Sequence, residues 1–583
     1  MFYFLPSIIF ISVGWFTYDP VSIFSSSLLL VISVLMLLFQ KQFYFDKSMF
    51  LVIPILIPTT YFISSIINNQ QFFSAISGGY QRNFGIATML ALSILFFFGV
   101  ATQINLRQFI NYGLISVLVL ANIYGYLQII GLDPLPWTGL HNGIILTLGN
   151  PNFAGALYGM LSCVVFIKIL QNKKNNFKLA YIGLLISTIF LGFRTYSIQS
   201  QLLTFLGCLI AANILYRNDT RKISKKLRLL SMSGILTSIT FIVLLFTTNL
   251  LPNLRTQIFN QSSIPQRLDY WRTGLEIFMD NPIIGVGADG YQRYAALYRN
   301  ANQVVRDGYM VIPDRSHNVL IDHFANGGLL IGLMWTILVL SVFYALIKIN
   351  SNISQNQNYE VAILGAVWST YIAQSLISPD QILLSIIGYS TGGIIVGLYL
   401  KNRRYGSSAE IKIFSSPFFV RVVLSFVLII VIASTIGSLK YDSQVKQILN
   451  KEINQREITI DLINSRFASA KTVELIGVSL IRENSDCVLI DKISNRLLQI
   501  DGRSSQAWFM KAICENKQKS FQNAQNFIGN SLKFDPLNVN YLLGKAEIEF
   551  IQNKKIEAKI TLDTIRRINP LEPEIFRLEA LIK

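Results

Sequence analysis

The fold class of this chain is decided by the stretch NVLIDHFANGGLLIGLMWTILVLSVFYALIK at residues 318–348. Its acidic, basic and imidazole side chains stand near its two ends: Asp322 and His323 close to the start, and Lys348 at the finish. A helix needs about 20 apolar residues to cross a lipid bilayer. The run between these residues is longer than that, so it predicts a membrane-spanning helix.

Similar runs recur along the first 440 residues. Hydrophobic residues make up 52% of the 583-residue chain and charged residues only 14%, whereas about a quarter of the residues in soluble domains are charged. This composition excludes an ordinary soluble enzyme and a disordered or fibrous chain. It predicts an all-α, polytopic helix bundle in residues 1–440. Thirteen spans are predicted, at residues 2–18, 21–40, 49–68, 86–104, 110–131, 153–170, 180–195, 198–216, 230–250, 318–348, 360–378, 382–400 and 418–438.

Basic residues predict the orientation of these spans, because short cytoplasmic loops are enriched in Lys and Arg. The apolar start lacks the basic segment and the small-residue cleavage site of a signal peptide, so it is predicted to be the first span. A cytoplasmic N-terminus and an extracytoplasmic C-terminal region follow when all four basic connections are placed in the cytoplasm: residues 41–47, 173–178, 217–228 and 401–404. The predicted outer loops are residues 69–85, 132–152 and 251–316.

The outer loop 251–316 has an unusual set of charges. It contains seven arginines and no lysine, although a translocated loop is normally poor in both. A planar guanidinium binds phosphate oxygens in pairs, so the pattern indicates an anionic ligand. The alternative is that the arginines pair with acidic residues of the same loop or with lipid headgroups. The arginines are Arg255, Arg267, Arg272, Arg293, Arg299, Arg306 and Arg315; the acidic residues are Asp269, Glu276, Asp280, Asp289, Asp307 and Asp314.

The formal net charge of the whole chain is +18. In a membrane protein, such an excess of basic residues indicates which loops lie in the cytoplasm and which residues contact phosphate groups. Motifs for nucleic-acid binding are not visible, so no nucleic-acid partner is predicted.

The composition changes after residue 440, and residues 441–583 are predicted to form an extracytoplasmic helical domain. A 34-residue spacing and small residues in the same register resemble tetratricopeptide repeats, at residues 503–536 and 537–570. Such an α-solenoid domain typically binds a peptide or a partner protein; the alternative is a rigid spacer packed on the membrane domain. The spaced pairs are Asp501-Gly502, Asp535-Pro536 and Asn569-Pro570.

Metal-binding residue types are scarce in this sequence. It has three histidines and four cysteines, and they do not cluster with the spacing of a metal site. Cys163 and Cys208 fall in predicted spans, whereas Cys487 and Cys514 fall in the C-terminal domain, where they are able to pair. Neither a metal nor a cofactor is predicted.

Two segments of the predicted outer face carry residues suited to chemistry. Residues 267–287 read as an amphipathic helix that ends at Asn281-Pro282, followed by a turn with Gly285 and Gly287. The segment Asp314-Arg-Ser-His-Asn318 then places His317 at the outer end of the predicted span 318–348. A neutral imidazole is well suited to accept a proton near neutral pH. The plainer interpretation of His317 is a hydrogen bond at the helix entry, and that of His323 is a polar contact inside the bundle.

Two further segments lie in the other predicted outer loops. The turn Asn150-Pro151-Asn152 comes directly before a span, where it is placed to cap the helix. The segment 78–85, GGYQRNFG, sets Arg82 at the outer interface.

Together these segments resemble the O-antigen ligase/polymerase superfamily, which also includes bacterial protein O-oligosaccharyltransferases. The resemblance covers about residues 70–400 and is most specific over 267–332. It implies a GT-C-related bundle in the bacterial inner membrane with a large periplasmic loop. It also implies a glycosyltransferase that moves a glycan from an undecaprenyl-diphosphate carrier to a hydroxyl group of a lipid, a sugar or a protein, without a metal.

Carried over residue by residue, the resemblance makes His317 the catalytic base. It assigns the donor diphosphate to arginines, and makes Asn150, Pro151, Asn152, Pro282, Gly285, Gly287 and Asn318 motif residues. Many members carry a Ser-Arg pair near the outer mouth of a middle helix; this chain has Arg194 one turn earlier and lacks the pair. The expected donor-binding arginines are Arg82, Arg194, Arg267, Arg272 and Arg315.

Three functions stay open at the level of the sequence. A ligase or oligosaccharyltransferase with a lipid or protein acceptor is favoured, because an outward-facing repeat domain suits a protein acceptor. A polymerase that extends a carrier-linked glycan is the second. A transporter, or an accessory to one, is the third, although the internal repeats expected of a transporter are not evident and charges crowd at the outer face.

Overall fold

The computed structural model describes residues 1–582 except for residues 13–21, 41, 46–51, 81, 136, 138–142, 218–221, 248–262, 350–354, 405–411, 416–417, 451–455 and 484. Within the described residues, one short antiparallel pair of strands, Gln42–Phe45 with Lys412–Ser415, interrupts an otherwise helical chain. This pair is a small correction to the all-α prediction. It lies beside the membrane helices and does not form a separate sheet domain.

Helices account for most of the first 450 residues. Two short 3₁₀ turns, Phe2–Phe4 and Leu146–Leu148, and a π-helical stretch, Phe109–Ile115, add to them. The α-helices are Leu5–Ile11, Ser22–Phe39, Ile53–Ile67, Phe72–Ser77, Ile86–Ala101, Leu106–Gln108, Ser116–Ile129, Pro151–Gln171, Asn175–Arg194, Ile198–Leu215, Lys222–Thr247, Ile264–Asp280, Tyr291–Ala295, Ala301–Asp307, Val319–Lys348, Gln355–Ser375, Ile382–Arg404 and Phe418–Leu449.

Seven helices among the described residues are long and apolar enough to cross a membrane. They include both members of the pair predicted at 180–195 and 198–216. Four shorter apolar helices lie at Phe2–Ile11, Phe24–Phe39, Ile53–Ile67 and Ile86–Ala101. The chain is therefore a multi-pass membrane protein, and the count of thirteen spans stays a prediction. The seven are Leu106–Ile129, Pro151–Gln171, Asn175–Arg194, Ile198–Leu215, Val319–Lys348, Ile382–Asn402 and Phe418–Leu449.

The helices differ in how deeply they are packed. Most side chains of Pro151–Gln171 and Ile382–Arg404 are buried, so these two helices lie at the centre of the bundle. Phe418–Leu449 instead exposes apolar side chains along its length, such as Phe426, Ile429 and Ile430. Lipid tails are as apolar as these side chains, so a bilayer accepts such a surface at no cost.

The C-terminal region is a chain of short antiparallel helices. The last long helix continues into it, because Tyr441 and Val445 belong to its hydrophobic core. The helices that begin at Ser505 and Val539 start 34 residues apart, which agrees with the spacing read from the sequence. Its helices are Arg456–Asn464, Ala470–Arg482, Cys487–Ile500, Ser505–Lys517, Phe521–Phe534, Val539–Ile551, Lys555–Ile568 and Pro573–Ile582. The tetratricopeptide assignment itself stays a prediction.

Two cysteines of this region are joined. Cys487 and Cys514 form a disulfide with a Cα–Cα distance of 5.4 Å. It joins the start of helix Cys487–Ile500 to the last turn of the next helix, Ser505–Lys517. Cys163 is buried in the membrane bundle and Cys208 is half-buried there. The sequence left the pairing of Cys487 and Cys514 open, and the fold brings them together.

Candidate active site

The glycine-containing turn after helix Ile264–Asp280 is built to contact another backbone. The long helix Val319–Lys348 is kinked at Gly328, where φ is +65°. Backbone groups of the turn bond to the kink: Val286 and Gly287 donate to the carbonyl oxygens of Ala325 and Asn326 at 3.2 and 2.9 Å, and Leu329 donates to that of Pro282 at 2.7 Å. These bonds replace helical ones that the kink removes.

Gly285 shows why this turn requires glycine. Its φ is +64°, and a Cβ atom there would lie 2.4 Å from the backbone carbon of Asn326. A non-glycine residue is thus excluded both by the left-handed conformation and by the overlap. The Pro282–Gly287 motif accordingly fixes the turn against the kinked span, and through it the helix that carries Arg267 and Tyr270.

The entry of the kinked span fixes the backbone around His317. Asn318 is its N-cap, with Oδ1 accepting from the amides of Leu320 and Ile321 at 3.1 and 3.2 Å, and Nδ2 donating to the carbonyl of Leu376 at 2.9 Å. His317 itself has φ +59°, a left-handed conformation that costs a non-glycine residue free energy. Such residues concentrate at functional sites, where the surrounding contacts enforce them.

An ion pair lies directly beside His317. Arg82 Nε donates to Asp314 Oδ2, and the other carboxylate oxygen of Asp314 is 4.0 Å from His317 Nε2. The Arg82 guanidinium also lies over the Phe153 ring, 5.7 Å from its centre. Burial favours the protonated form of Asp314, but Arg82, His317 and Arg315 outweigh it and lower its pKa to about 2. Asp314 is therefore ionised at neutral pH.

His317 is a neutral imidazole at physiological pH. Burial lowers its pKa to about 4; Asp314 opposes this effect, and Arg82, Arg267 and Arg315 add to it. The ring packs edge-on against Tyr270, with 5.3 Å between the ring centres. Its side chain still keeps 28% exposure, so a substrate can reach it. These properties suit a group that accepts a proton.

Arg315 lies beneath this cluster. Its guanidinium is 2.5 Å from Asp289 Oδ1, and both side chains are buried. Asp289 Oδ2 also accepts the Gly79 amide at 2.7 Å, so the pair ties the segment of Arg82 to the segment of His317. Asp289, Asp322 and other carboxylates raise the pKa of Arg315 against the effect of burial. Arg315, one of the predicted donor-binding arginines, is therefore already paired with the carboxylate of Asp289 in this structure.

Most arginines of the outer loop are paired in the same way. Five of the six that the structure describes contact a carboxylate. Three pair within the loop, as the alternative expected, and two pair with aspartates of the C-terminal domain: Arg272 with Glu276, Arg306 with Asp269 and Asp307, Arg315 with Asp289, Arg293 with Asp501 and Arg299 with Asp535. Arg255 lies outside the described residues. Because an anion can compete with a carboxylate for a guanidinium, the anion site at this loop stays a prediction for these five.

Arg267 is the exception among them. It lies on helix Ile264–Asp280, three residues before Tyr270, and its charge lowers the pKa of His317. Within the described residues, no carboxylate forms an ion pair with it. Burial lowers the pKa of Arg267, because its guanidinium loses part of its contact with water. An anion bound here would compensate for that loss.

The remaining predicted residues divide into two groups. Asn150 caps helix Pro151–Gln171, its Oδ1 accepting the Asn152 amide at 2.8 Å, and Phe153 of the same helix contacts Arg82. Arg194 is exposed at the end of helix Asn175–Arg194, where its guanidinium is 6.0 Å from the centre of the Tyr196 ring. In the described part of the chain, it forms no contact with Arg82, Asp314 or His317.

Sequence reasoning missed several residues that the fold places at the site. Tyr270 packs on His317, and its position three residues after Arg267 on a helix was the available signal. Asp322 accepts the Ser316 amide at 2.8 Å and so holds the backbone before His317. His323, by contrast, makes the polar contact inside the bundle that the sequence suggested: its Nδ1 pairs with the Tyr61 hydroxyl at 2.8 Å.

Residues 182–336 match the model of the O-antigen ligase family. The match covers about a quarter of the chain and contains Arg194, Arg267, Gly285 and His317, but not Arg82. It supports the O-antigen ligase superfamily, a glycosyltransferase-like enzyme, and a function in membrane glycan ligation or polymerisation. None of the curated proteins matches the chain.

Proposed function

We propose that this protein transfers an oligosaccharide or polysaccharide from an undecaprenyl-diphosphate carrier to a hydroxyl group of a lipid or protein acceptor. The reaction takes place at the outer face of the bacterial inner membrane, without a metal and with inversion at the anomeric carbon. One observation carries the proposal: a neutral His317 at the entry of a membrane span feels the charge of Arg267, which has no carboxylate partner among the described residues, and both lie inside the segment that matches the O-antigen ligase family.

The proposed mechanism assigns one role to each group. His317 accepts the proton of the acceptor hydroxyl while that oxygen bonds to the anomeric carbon of the donor sugar. The bond from this carbon to the diphosphate breaks, and the lipid diphosphate leaves with the electron pair. Arg267 stabilises the charge that develops on the diphosphate. Attack from the face opposite the leaving group inverts the anomeric centre.

Arg82 has a second role in this proposal. In the substrate-free protein its guanidinium is held by Asp314, which lies beside His317. A diphosphate that carries more charge than one carboxylate competes with Asp314 for the guanidinium. The ion pair therefore keeps Arg82 oriented and close to the reacting atoms before the donor arrives.

An extracytoplasmic C-terminal domain supports an acceptor that arrives from water. Disulfides form and persist outside the cytoplasm, and the Cys487–Cys514 bond lies in this domain. A protein acceptor, or a protein partner on this domain, fits that placement. A carrier-linked glycan as acceptor would make the protein a polymerase. This is the second candidate, because the O-antigen ligase match also supports a polymerase-type function.

The test compares the purified wild type with His317→Ala. Each is incubated in EDTA with an undecaprenyl-diphosphate-linked glycan and, separately, with lipid, protein and carrier-linked acceptors. Carrier release, glycosylated product and binding of the donor are followed. We expect transfer by the wild type and a loss of at least about a hundredfold in the variant, as for a missing general base, with donor binding retained.

Each other result has a definite meaning. Equal transfer by the two proteins would remove His317 from the mechanism. Transfer only to the carrier-linked glycan would replace the ligase with the polymerase. Absence of transfer to every acceptor would contradict the enzyme and favour transport.

A further inference from the structure

The C-terminal helical domain holds the outer loop through two aspartates that occupy equivalent places in it. Asp501 and Asp535 directly follow helices Cys487–Ile500 and Phe521–Phe534, 34 residues apart. Arg293 contacts Asp501 at 3.0 Å, and Arg299 contacts Asp535 at 2.6 Å. Two successive helix pairs thus bind two arginines that are six residues apart in the loop.

The Arg299–Asp535 pair is fully withdrawn from water. Both side chains have 0% exposure. Arg299 also donates to the backbone carbonyls of Tyr309 and Val311 at 2.8 and 3.0 Å, and Asn538 donates to the second oxygen of Asp535 at 3.0 Å. Loss of one partner from such a pair leaves a buried charge without compensation, which is much costlier than loss of both.

Other contacts extend the same interface. The Arg503 guanidinium lies over the Tyr294 ring at 4.0 Å. Val304 of the loop belongs to one hydrophobic cluster with Val539 and Leu542 of the C-terminal domain. The loop is therefore packed against the domain by apolar contacts as well as by charge.

This loop leads directly into the candidate active site. Two residues separate Ile312, which packs with Tyr291 and Ala295, from Arg315, and His317 follows in its left-handed conformation. A displacement of the loop would move Asp314 and His317 with it, because so short a connection has little freedom to absorb the change.

The domain also contacts the segment that carries Arg82. The Tyr80 hydroxyl donates to Asp442 at 2.6 Å, and Gln71 Nε2 donates to the carbonyl of Ala468 at 3.2 Å. The rings of Phe73 and Phe467 pack edge to face at 5.2 Å. The two halves of the candidate active site, with Arg82 on one and His317 on the other, thus rest on the same domain.

We infer that the C-terminal helical domain is a positioning element of the active site, in which Asp501 and Asp535 hold Arg293 and Arg299 and thereby hold Asp314 and His317 in register with Arg82. The chemistry that this arrangement serves rests on the proposed transfer. We call the ion pairs Arg293–Asp501 and Arg299–Asp535 the clamp. The effect of the clamp on the loop can be measured without any substrate.

The test uses the full-length protein in nanodiscs and four variants. Asp535→Asn and Arg299→Gln each remove one charge, the double variant removes both, and Asp491→Asn is the control, because Asp491 pairs with Lys511 within the C-terminal domain. Hydrogen exchange of residues 291–317, and kcat and KM for glycan transfer, are measured for each.

We expect each single variant to speed exchange of residues 291–317 by about tenfold or more and to lower kcat by a similar factor. The double variant should recover part of both losses, since a coupling of about 1.4 kcal/mol corresponds to a factor of ten. The control should change neither. Asp501→Asn, at a more exposed pair, provides a milder variant if Asp535→Asn fails to fold, and its expected changes have the same direction.

Unchanged exchange of residues 291–317 in the single variants would overturn the inference, whatever happens to transfer. So would additive losses in the double variant. If the wild type fails to transfer glycan but exchange rises in the single variants and falls again in the double one, the clamp stands and the proposed function fails.

Discussion

The pH dependence of kcat/KM tests the environment of His317 most directly. This parameter reports ionisations of the free enzyme, and the pKa of His317 is lowered to about 4 by burial. At pH 5.5 about 97% of such a histidine is neutral, whereas about 9% would be neutral at the ordinary pKa of about 6.5. The two cases differ by a factor of about ten in the active form.

The assay measures carrier release at low donor concentration between pH 4 and 8, in nanodiscs that keep the protein folded. We expect a flat profile from pH 8 to about pH 5.5 and a decline near pH 4. Asp314 does not cause this decline, because its pKa in the folded protein is lowered to about 2. Its contribution to the stability of the fold is present above the pKa that it has in the unfolded chain, and is lost as the pH falls towards 2.

His317→Gln supplies the control for this profile. Its residual activity should show no decline near pH 4, because the titrating group is gone. A wild-type decline centred between pH 6 and 7 would refute the argument: it would mean that His317 is solvated like a free imidazole, or that another group is the base.

Three further predictions follow from the site and the domain. Arg267→Gln should weaken donor binding by about tenfold or more. It should also shift the acidic decline of activity to higher pH, because Arg267 lowers the pKa of His317. Donor binding and the pH profile are measured, and an unchanged dissociation constant would remove Arg267 from the donor site. Gly285→Ala should destabilise the protein by about 3 kcal/mol or more in thermal unfolding, because the new Cβ overlaps Asn326. Gly131→Ala, at an equally left-handed position with no atom within 4 Å, should cost only about 1 kcal/mol, and equal costs would contradict the overlap. Cys514→Ser should lower the stability of the C-terminal domain by about 3–4 kcal/mol, given a sequence separation of 27 residues in the disulfide. In intact cells, a membrane-impermeant maleimide should label the wild-type domain only after reduction, whereas labelling without reduction would argue against the disulfide.

The sequence predicted the membrane character and the main chemical candidate of this protein. Long apolar runs leave few structures other than membrane helices, because a bilayer offers backbone groups no water. His317 was likewise recognisable, since it lies at the start of such a run beside Asp314 and Arg315. The 34-residue spacing anticipated the distance along the chain between the starts of two C-terminal helices, at Ser505 and Val539, although the repeat assignment and the count of spans stay predictions.

The role of each arginine could not be read in the same way. The seven arginines of the outer loop look equivalent in the sequence. The role of each one depends on which carboxylate the fold brings within about 4 Å of its guanidinium. Asp501 and Asp535 lie more than 200 residues away from Arg293 and Arg299 along the chain. Only packing decided that they meet, and among the described residues it left Arg267 without a carboxylate partner.

Local chemistry thus determined the bilayer spans, the helix caps and the candidate base, because those properties depend on neighbours in sequence. Tertiary structure decided the pairing of Arg82 with Asp314, the contact of Gly285 with the kink at Gly328, and the attachment of the C-terminal domain to the outer loop. Electrostatic and steric contacts act over a few ångströms in space, and the residues that make them here are brought together only by the fold.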